Sequence, residues 1–307
     1  MTRNLLFGIV LTVTGVLPLT VNGQDRLPLN GQDRLPLDEQ ETGEYTLYYS
    51  LTELPNALVY VPAPPSLSSA LFAYDTAQYQ WGKRMRSTER GAQARTHATE
   101  DIGVMLKQFS EPFGLTLSED KTPAIYRLAY RGAWNICFGT VFPKSYYMRE
   151  RPYVYFGEPT LVPEDEERYK TDGSYPSAHT ALGWGMALLL SELNQDAQDE
   201  LLALGYEWGQ SRVIAGFHWQ SDVDAARMIA AACFARLHAH PDFIADMNEA
   251  KEEYARLKNG GDALPTVQAG KQPAGGIYTL QGQALDTPPK HGFYIEDGQK
   301  KFKKAKE

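Results

Sequence analysis

Two stretches constrain the architecture more than anything else in the chain. Ala181–Leu193 and Val223–His238 are rich in Ala, Leu and Met, with few strand-favouring alternations. Those residues lose little side-chain freedom in a helix, so both stretches read as helices. Ser221 precedes the second, with Asp224 three residues on. The pair resembles a capping box with Asp in place of Glu, which would start the helix there. Helical signals dominate from Ser68 to His238, with no hairpin signature and no strand–helix–strand rhythm. The expected fold is all-α, a helical bundle over residues 46–258. Residues 46 to about 70 carry Pro55, Pro62, Pro64 and Pro65 and should wrap the surface as irregular chain.

The ends are different in kind. Arg3 is followed by Leu5 to Val21, uncharged and mostly apolar, and then by Asn22 and Gly23 at a plausible cleavage point. Residues 1–23 read as a secretory signal peptide, so the mature protein is expected to be periplasmic or secreted. The alternative is a membrane anchor. The run is shorter than the roughly 20 residues a spanning helix needs, and Pro18 interrupts it. No membrane span is expected after the signal is removed. Residues 24–45 read as a flexible leader, which holds most of a tandem NGQDRLPL repeat, Asn22–Leu29 and Asn30–Leu37. Residues 259–307 turn to Gly, Pro, Gln and Lys and are expected to be disordered. They finish in KKFKKAKE, a solvated charge run by default, with attachment to an anionic surface as the alternative.

With 307 residues, 43% of them hydrophobic, the chain can bury a sizeable core. The formal net charge of −8 leaves no basic surplus for wrapping nucleic acid, and no such binding is expected. An anion could still be held where cations are locally concentrated. Only Cys137 and Cys233 occur. A disulfide and two buried thiols are equally consistent with their apolar surroundings. No spacing of Cys and His resembles a zinc site, and neither a metal nor a cofactor is expected.

Three segments carry the chemistry. The first runs Lys144-Ser-Tyr-Tyr-Met-Arg-Glu-Arg151-Pro152. Seven residues separate Lys144 from Arg151, so on one helix they would share a face, with Pro152 ending that helix. Such a pair usually decorates a solvated face. The second, Gly173-Ser-Tyr-Pro-Ser177-Ala178-His179-Thr180, leads into the first apolar helix. Ordinary capping by Ser177 would explain it, but a helix N-terminus also offers backbone N–H groups to an anion, with His179 at its lip. The third, Ser211-Arg212-Val-Ile-Ala-Gly-Phe-His218-Trp-Gln-Ser-Asp222, places His218 four residues from Asp222. A carboxylate on one ring nitrogen would fix the tautomer and leave the other nitrogen nucleophilic. In isolation, such a pair is more often a local structural contact.

The three together, K-x6-RP, PSxH and SR-x5-H-x3-D, resemble the signature of the phosphatidic-acid-phosphatase type 2 superfamily. That group holds bacterial non-specific acid phosphatases, lipid phosphatases and vanadium haloperoxidases. RSTERGAQA at 86–94, GSYPSAHTALGW at 173–184 and GQSRVIAGFHWQSDVDAAR at 209–227 are similar to the class A bacterial acid phosphatases in particular. The resemblance implies that Lys144, Arg151 and Arg212 bind the phosphate oxygens. It gives Ser177 as hydroxyl donor and Ala178 as backbone N–H donor. It makes His218 the nucleophile that becomes phosphohistidine, His179 the general acid and Asp222 the partner of His218. Ala178 stands where the family usually has Gly, and Ala215 where class A usually has a paired Cys.

The implied function is a metal-independent acid phosphatase acting on small-molecule phosphomonoesters, with phosphotransfer to alcohols as an extension. The alternative is a vanadium-dependent haloperoxidase using the same oxyanion cage. Assembly into a homo-oligomer is left open by the sequence.

Overall fold

In the computed structural model of the chain, the described residues are 45–260, 277–278, 284–285, 287–289, 292–296 and 299–303. The expected signal peptide and nearly all of the leader lie outside them. The chain divides into two compact units, Met1–Gly261 and Asp262–Glu307.

The first unit is all-α among its described residues. Its helices are α1 (Ala57–Tyr60), α2 (Ala70–Met85), α3 (Glu89–Thr96), α4 (Ile102–Phe113), α5 (Pro123–Phe138) and α6 (Val141–Tyr147). They continue with α7 (Pro152–Phe156), α8 (Glu166–Tyr169), α9 (Ala178–Leu193), α10 (Gln198–Ala215), α11 (Gln220–Leu237) and α12 (Pro241–Lys258). Local chemistry sets many of the boundaries. The side chains of Asn56, Ser69, Asp101 and Ser177 each accept a backbone N–H at the start of α1, α2, α4 and α9. Proline opens α5, α7 and α12, where its missing N–H costs nothing.

Helix α9 runs through the core and is buried on nearly every face. It packs on α5, α10 and α11. Two glycines let α10 come close. A Cβ on Gly183 would lie 2.3 Å from Trp208 Cγ, and one on Gly205 would lie 2.4 Å from Ala187 Cβ. On the opposite side Leu189, fully buried, fills the space that a Cβ on Gly132 of α5 would take. Burying one such leucine stabilises the fold by about 1.5–3 kcal/mol. Cys137 and Cys233 are both buried and not joined in a disulfide, so of the two open alternatives the structure has the buried thiols. No helix among the described residues is long and apolar enough to cross a membrane.

Helix α11 begins earlier than expected. Its N-cap is Trp219, and Asp222, at the third helical position, accepts the Trp219 N–H at 2.8 Å. Asp222 therefore does the capping assigned to Asp224. Ser221 instead donates its hydroxyl to Asp75 at 2.6 Å.

Much of residues 259–307, the expected disordered tail, lies outside the described residues, and most of those that are described are ordered into a helix end and strands. Residue 259 caps α12, and beyond it four short strands pair antiparallel in the order β2-β1-β3-β4. They are β1 (Ile277–Tyr278), β2 (Ala284–Leu285), β3 (Gly292–Glu296) and β4 (Gln299–Lys303). In β3–β4 the register sets Phe293 opposite Phe302 and Glu296 opposite Gln299. Overall composition hid this. The local signal was an Asp297-Gly298 pair between two runs containing aromatic residues, a strong short-range hairpin cue.

Candidate active site

Four chain segments meet at the N-terminus of α9: the α6–α7 connection, the 172–177 turn, the C-terminal turn of α10 and the link from α10 to α11. Lys144, Arg151, Ser177, Ala178, His179, Arg212, His218 and Asp222 are all buried there. Every residue singled out from the sequence therefore lies in the interior around this one junction.

Gly216 makes the last link possible. Its φ is +90°, and a Cβ would meet Arg86 Nη2 at 2.2 Å. Arg86 in turn donates to Ile214 O at 2.8 Å and to Pro159 O at 2.7 Å, pinning the end of α10. The chain then folds back so that the Phe217 and His218 N–H groups both reach Arg212 O. Arg212 sits over the Phe217 ring, 4.7 Å from its centroid.

The first motif is built differently from its helical reading. Helix α6 stops at Tyr147, and Met148 takes a left-handed conformation with φ +40°. Arg151 is extended (φ −76°, ψ 150°), and Pro152 starts α7 rather than ending a helix. The reason is that proline's fixed φ suits a first helical position, while its ring excludes the interior. Lys144 and Arg151 converge through this turn instead of along one helical face. Lys144 Nζ donates to Gly173 O at 2.8 Å, with Asp172 Oδ2 3.6 Å away. Arg151 Nη2 pairs with Asp172 Oδ2 at 2.8 Å.

Ser177 caps α9, accepting from Thr180 N at 3.3 Å and from Thr180 Oγ1 at 2.9 Å. Having accepted twice, its hydroxyl has its own proton to give. Ala178 is the first helical residue. Met148 is the one non-glycine with positive φ among the described residues, so Ala178 carries none of the strain that would demand glycine. The opening N–H groups of α9 have no acceptor within the helix and suit an anion.

His218 Nδ1 lies 2.8 Å from Ser174 O, which can only accept, so that nitrogen carries the proton. Arg151 Nη1, which can only donate, then gives a hydrogen bond to the lone pair on Nε2 at 3.1 Å. Burial, followed by the charges of Arg151, Lys144 and Arg212, holds His218 well below its ordinary pKa, with the Ser174 bond opposing. The ring is neutral, with its lone pair facing the cations. Asp222 stands 3.4 Å from Nδ1 and is more a support than the direct partner expected. It accepts Arg149 Nη1 at 2.6 Å and the hydroxyl of Ser174. Arg149 continues to Asp75 of α2 at 2.8 Å.

His179 Nδ1 lies 3.5 Å from Glu100 Oε1. Burial, then Arg212, His218, Arg168 and Arg151, push its pKa well down. The sequence reading missed Asp75, Glu100, Arg149, Asp172 and Ser174. Arg149, Asp172 and Ser174 lie inside or beside the motifs and could have been suspected. Asp75 and Glu100 lie far along the chain from the residues they serve. Among the described residues, no group of three or more His, Cys, Asp or Glu is arranged to hold a metal ion.

Comparison with known proteins agrees with the geometry. A family profile described as the PAP2 superfamily matches residues 126–243. The non-specific acid phosphatase of Providencia stuartii is 44% identical over 216 residues, covering 69% of this chain and 86% of the relative. That of Salmonella typhimurium strain LT2 is 38% identical over 210 residues, covering 67% and 83%. The acid phosphatase of Zymomonas mobilis subsp. mobilis is 32% identical over 201 residues, covering 66% and 76%.

Proposed function

The chain belongs to the PAP2 superfamily and is an acid phosphatase, and from that premise we propose that it is exported and hydrolyses phosphomonoesters through a phosphohistidine on His218. The relatives' names favour this reading over the haloperoxidase alternative. The observation that carries the mechanism is the tautomer of His218: Nδ1–H is spent on Ser174 O, and Nε2 faces Arg151 inside a buried cluster of cations.

The reaction follows from that arrangement. Phosphoryl transfer asks mainly for positioning and for charge stabilisation on the equatorial oxygens. Lys144, Arg151 and Arg212 supply the charge, and Ser177 and the Ala178 N–H add donors. Nε2 attacks phosphorus as the bond to the leaving oxygen breaks. The leaving oxygen takes the electron pair of that bond and a proton from His179. Water then attacks phosphorus, giving a proton to His179, and the P–N pair returns to Nε2. An alcohol in place of water gives phosphotransfer. The apolar, uncharged run from Leu5 to Val21 supports export.

The pH dependence has two limbs. His218 must be neutral, and its lowered pKa puts the acid limb well below pH 6.5. His179 must be protonated in the complex, where the bound dianion opposes the surrounding cations, so loss of its proton forms the alkaline limb. The expected kcat profile is a bell on the acid side of neutrality. The decisive experiment replaces the nucleophile. His218→Ala should lower kcat by about 10⁴-fold or more, and rapid quenching of the wild type in alkali should yield labelled phosphohistidine at residue 218. Near-normal turnover by the variant would overturn the mechanism.

A further inference from the structure

We propose that Glu100 is a positioning residue for this reaction: its carboxylate, seated by Arg168 and Tyr169, holds on His179 the proton that goes to the leaving oxygen. The inference rests on the general-acid reading of His179 given above.

Glu100 lies just before α4, outside all three motifs. Its two oxygens are tied from α8. Arg168 Nη2 donates to Oε2 at 2.6 Å, and Tyr169 OH donates to Oε1 at 2.9 Å. The Tyr169 ring also stands edge-on to His179, with centroids 6.3 Å apart. The carboxylate is therefore fixed, with Oε1 presented to His179 Nδ1 at 3.5 Å. Ordinary packing would not need a carboxylate against a buried imidazole.

The charges around His179 show why one is useful. From α10 and the link after it come Arg212 and His218, from the cap of α7 comes Arg151, and from α8 comes Arg168. All of these disfavour the imidazolium. Asp165 lies within the field of Arg212, Arg168 and Glu100. Glu100 is the carboxylate at ion-pair distance from the ring. When a phosphate dianion fills the cage it offsets Lys144, Arg151 and Arg212, and of the arginines around His179 only Arg168, itself paired with Glu100, is left to oppose that carboxylate. In the step itself Glu100 neither gives nor takes a proton. The imidazolium gives its proton to the leaving oxygen as the P–O bond breaks, and becomes neutral.

The test uses the full chain and two substrates, p-nitrophenyl phosphate, whose leaving group hardly needs a proton, and ethyl phosphate, whose leaving group does. Glu100→Gln removes the charge and keeps one acceptor oxygen, which Arg168 can use, while the amide NH2 can donate to the Tyr169 hydroxyl turned as an acceptor. Its alkaline limb of kcat should move down by about 1 pH unit. Above that limb, ethyl phosphate should lose about tenfold more than p-nitrophenyl phosphate, while the acid limb stays in place. Glu100→Asp keeps the charge one methylene further off and should place the limb between the two. It also covers the case in which the glutamine variant fails to fold. An unmoved limb, equal losses on both esters, or an E100D limb displaced as far as that of E100Q would overturn the proposal. His179→Ala separates the two levels of the argument. If it too loses equally on both esters, the general-acid reading has failed. If it discriminates between them and E100Q does not, the role of Glu100 alone has failed.

Discussion

The two histidines of the site are held by opposite means. Behind His218 stands a closed set of short bonds, from Ser174 O at 2.8 Å through Asp222 and Arg149 to Asp75, with both carboxylates wholly buried. Beside His179 stands a single carboxylate at 3.5 Å, tied to Arg168, whose side chain is 35% exposed. The difference follows from the work each ring does. A nucleophile needs one tautomer and one direction, and directional hydrogen bonds fix both. A general acid changes protonation state twice in each turnover, and a nearby charge biases that exchange without committing the ring to one form.

Breaking the wall behind His218 should have the larger effect. Arg149→Met leaves Asp75 and Asp222 as buried carboxylates without their shared guanidinium. Removing one partner of such a buried set costs about 3–5 kcal/mol. The denaturation midpoint should fall accordingly. In whatever folded fraction remains, kcat should drop by the same factor on p-nitrophenyl phosphate and on ethyl phosphate, because the nucleophile and not the leaving group is affected. A loss that depends on the leaving group would erase the contrast between the two walls.

A third buried histidine sharpens the comparison because it has no assigned part in the phosphoryl chemistry. His97 stacks on Trp208 with ring centroids 4.3 Å apart, and its Nδ1 bonds to Ser211 Oγ at 2.8 Å. Burial, then Arg90, lowers its pKa to about 4. The sign is that of a group that resists protonation only when folded. Below about pH 6.5 the unfolded chain takes up a proton that the folded chain refuses, so stability falls until the folded group titrates near pH 4. The shift corresponds to an order of 3 kcal/mol. Denaturant unfolding between pH 7 and pH 4 should show a shallower decline for His97→Gln than for wild type. Parallel declines would mean that His97 adds nothing to the acid sensitivity.

Much of the frame was legible before the structure. The helices expected over 181–193 and 223–238 are α9 and α11, displaced by three residues at their starts and at most one at their ends. Helix interiors announce themselves through composition, whereas starts depend on one capping side chain, and Asp222 was a better cap than Asp224. The three motifs gave residues that the fold brings to one junction. What they could not give was support from elsewhere. Asp75 reaches the site through α2, and Glu100 reaches it from the start of α4. Each is one unremarkable carboxylate among the chain's 38 acidic residues. Long-range pairing of that kind has no local signature. The strands of the second unit did have one, in Asp297-Gly298, but it was outweighed by the Gly, Pro and Lys around it.

The smallest effect is expected from the largest deletion. Every residue of both walls, from Asp75 to Asp222, lies in the first unit, and α12 closes that unit at Lys258 with Asn259 as its cap. The four strands that follow hydrogen-bond to one another in the β2-β1-β3-β4 sheet. A chain ending at Gly261 keeps α12, whose buried Phe243, Met247 and Ala250 belong to the main core, and removes only residues 262–307. Its kcat on p-nitrophenyl phosphate should stay within about twofold of the full chain, and both pH limbs should keep their positions. The two limbs make this more than a test of survival. The acid limb reports the wall behind His218, and the alkaline limb reports the charge beside His179. A shortened chain that folds but shifts the alkaline limb alone would mean that residues 262–307 bear on the proton of His179. A shift of both limbs together would mean that the cage itself depends on the second unit.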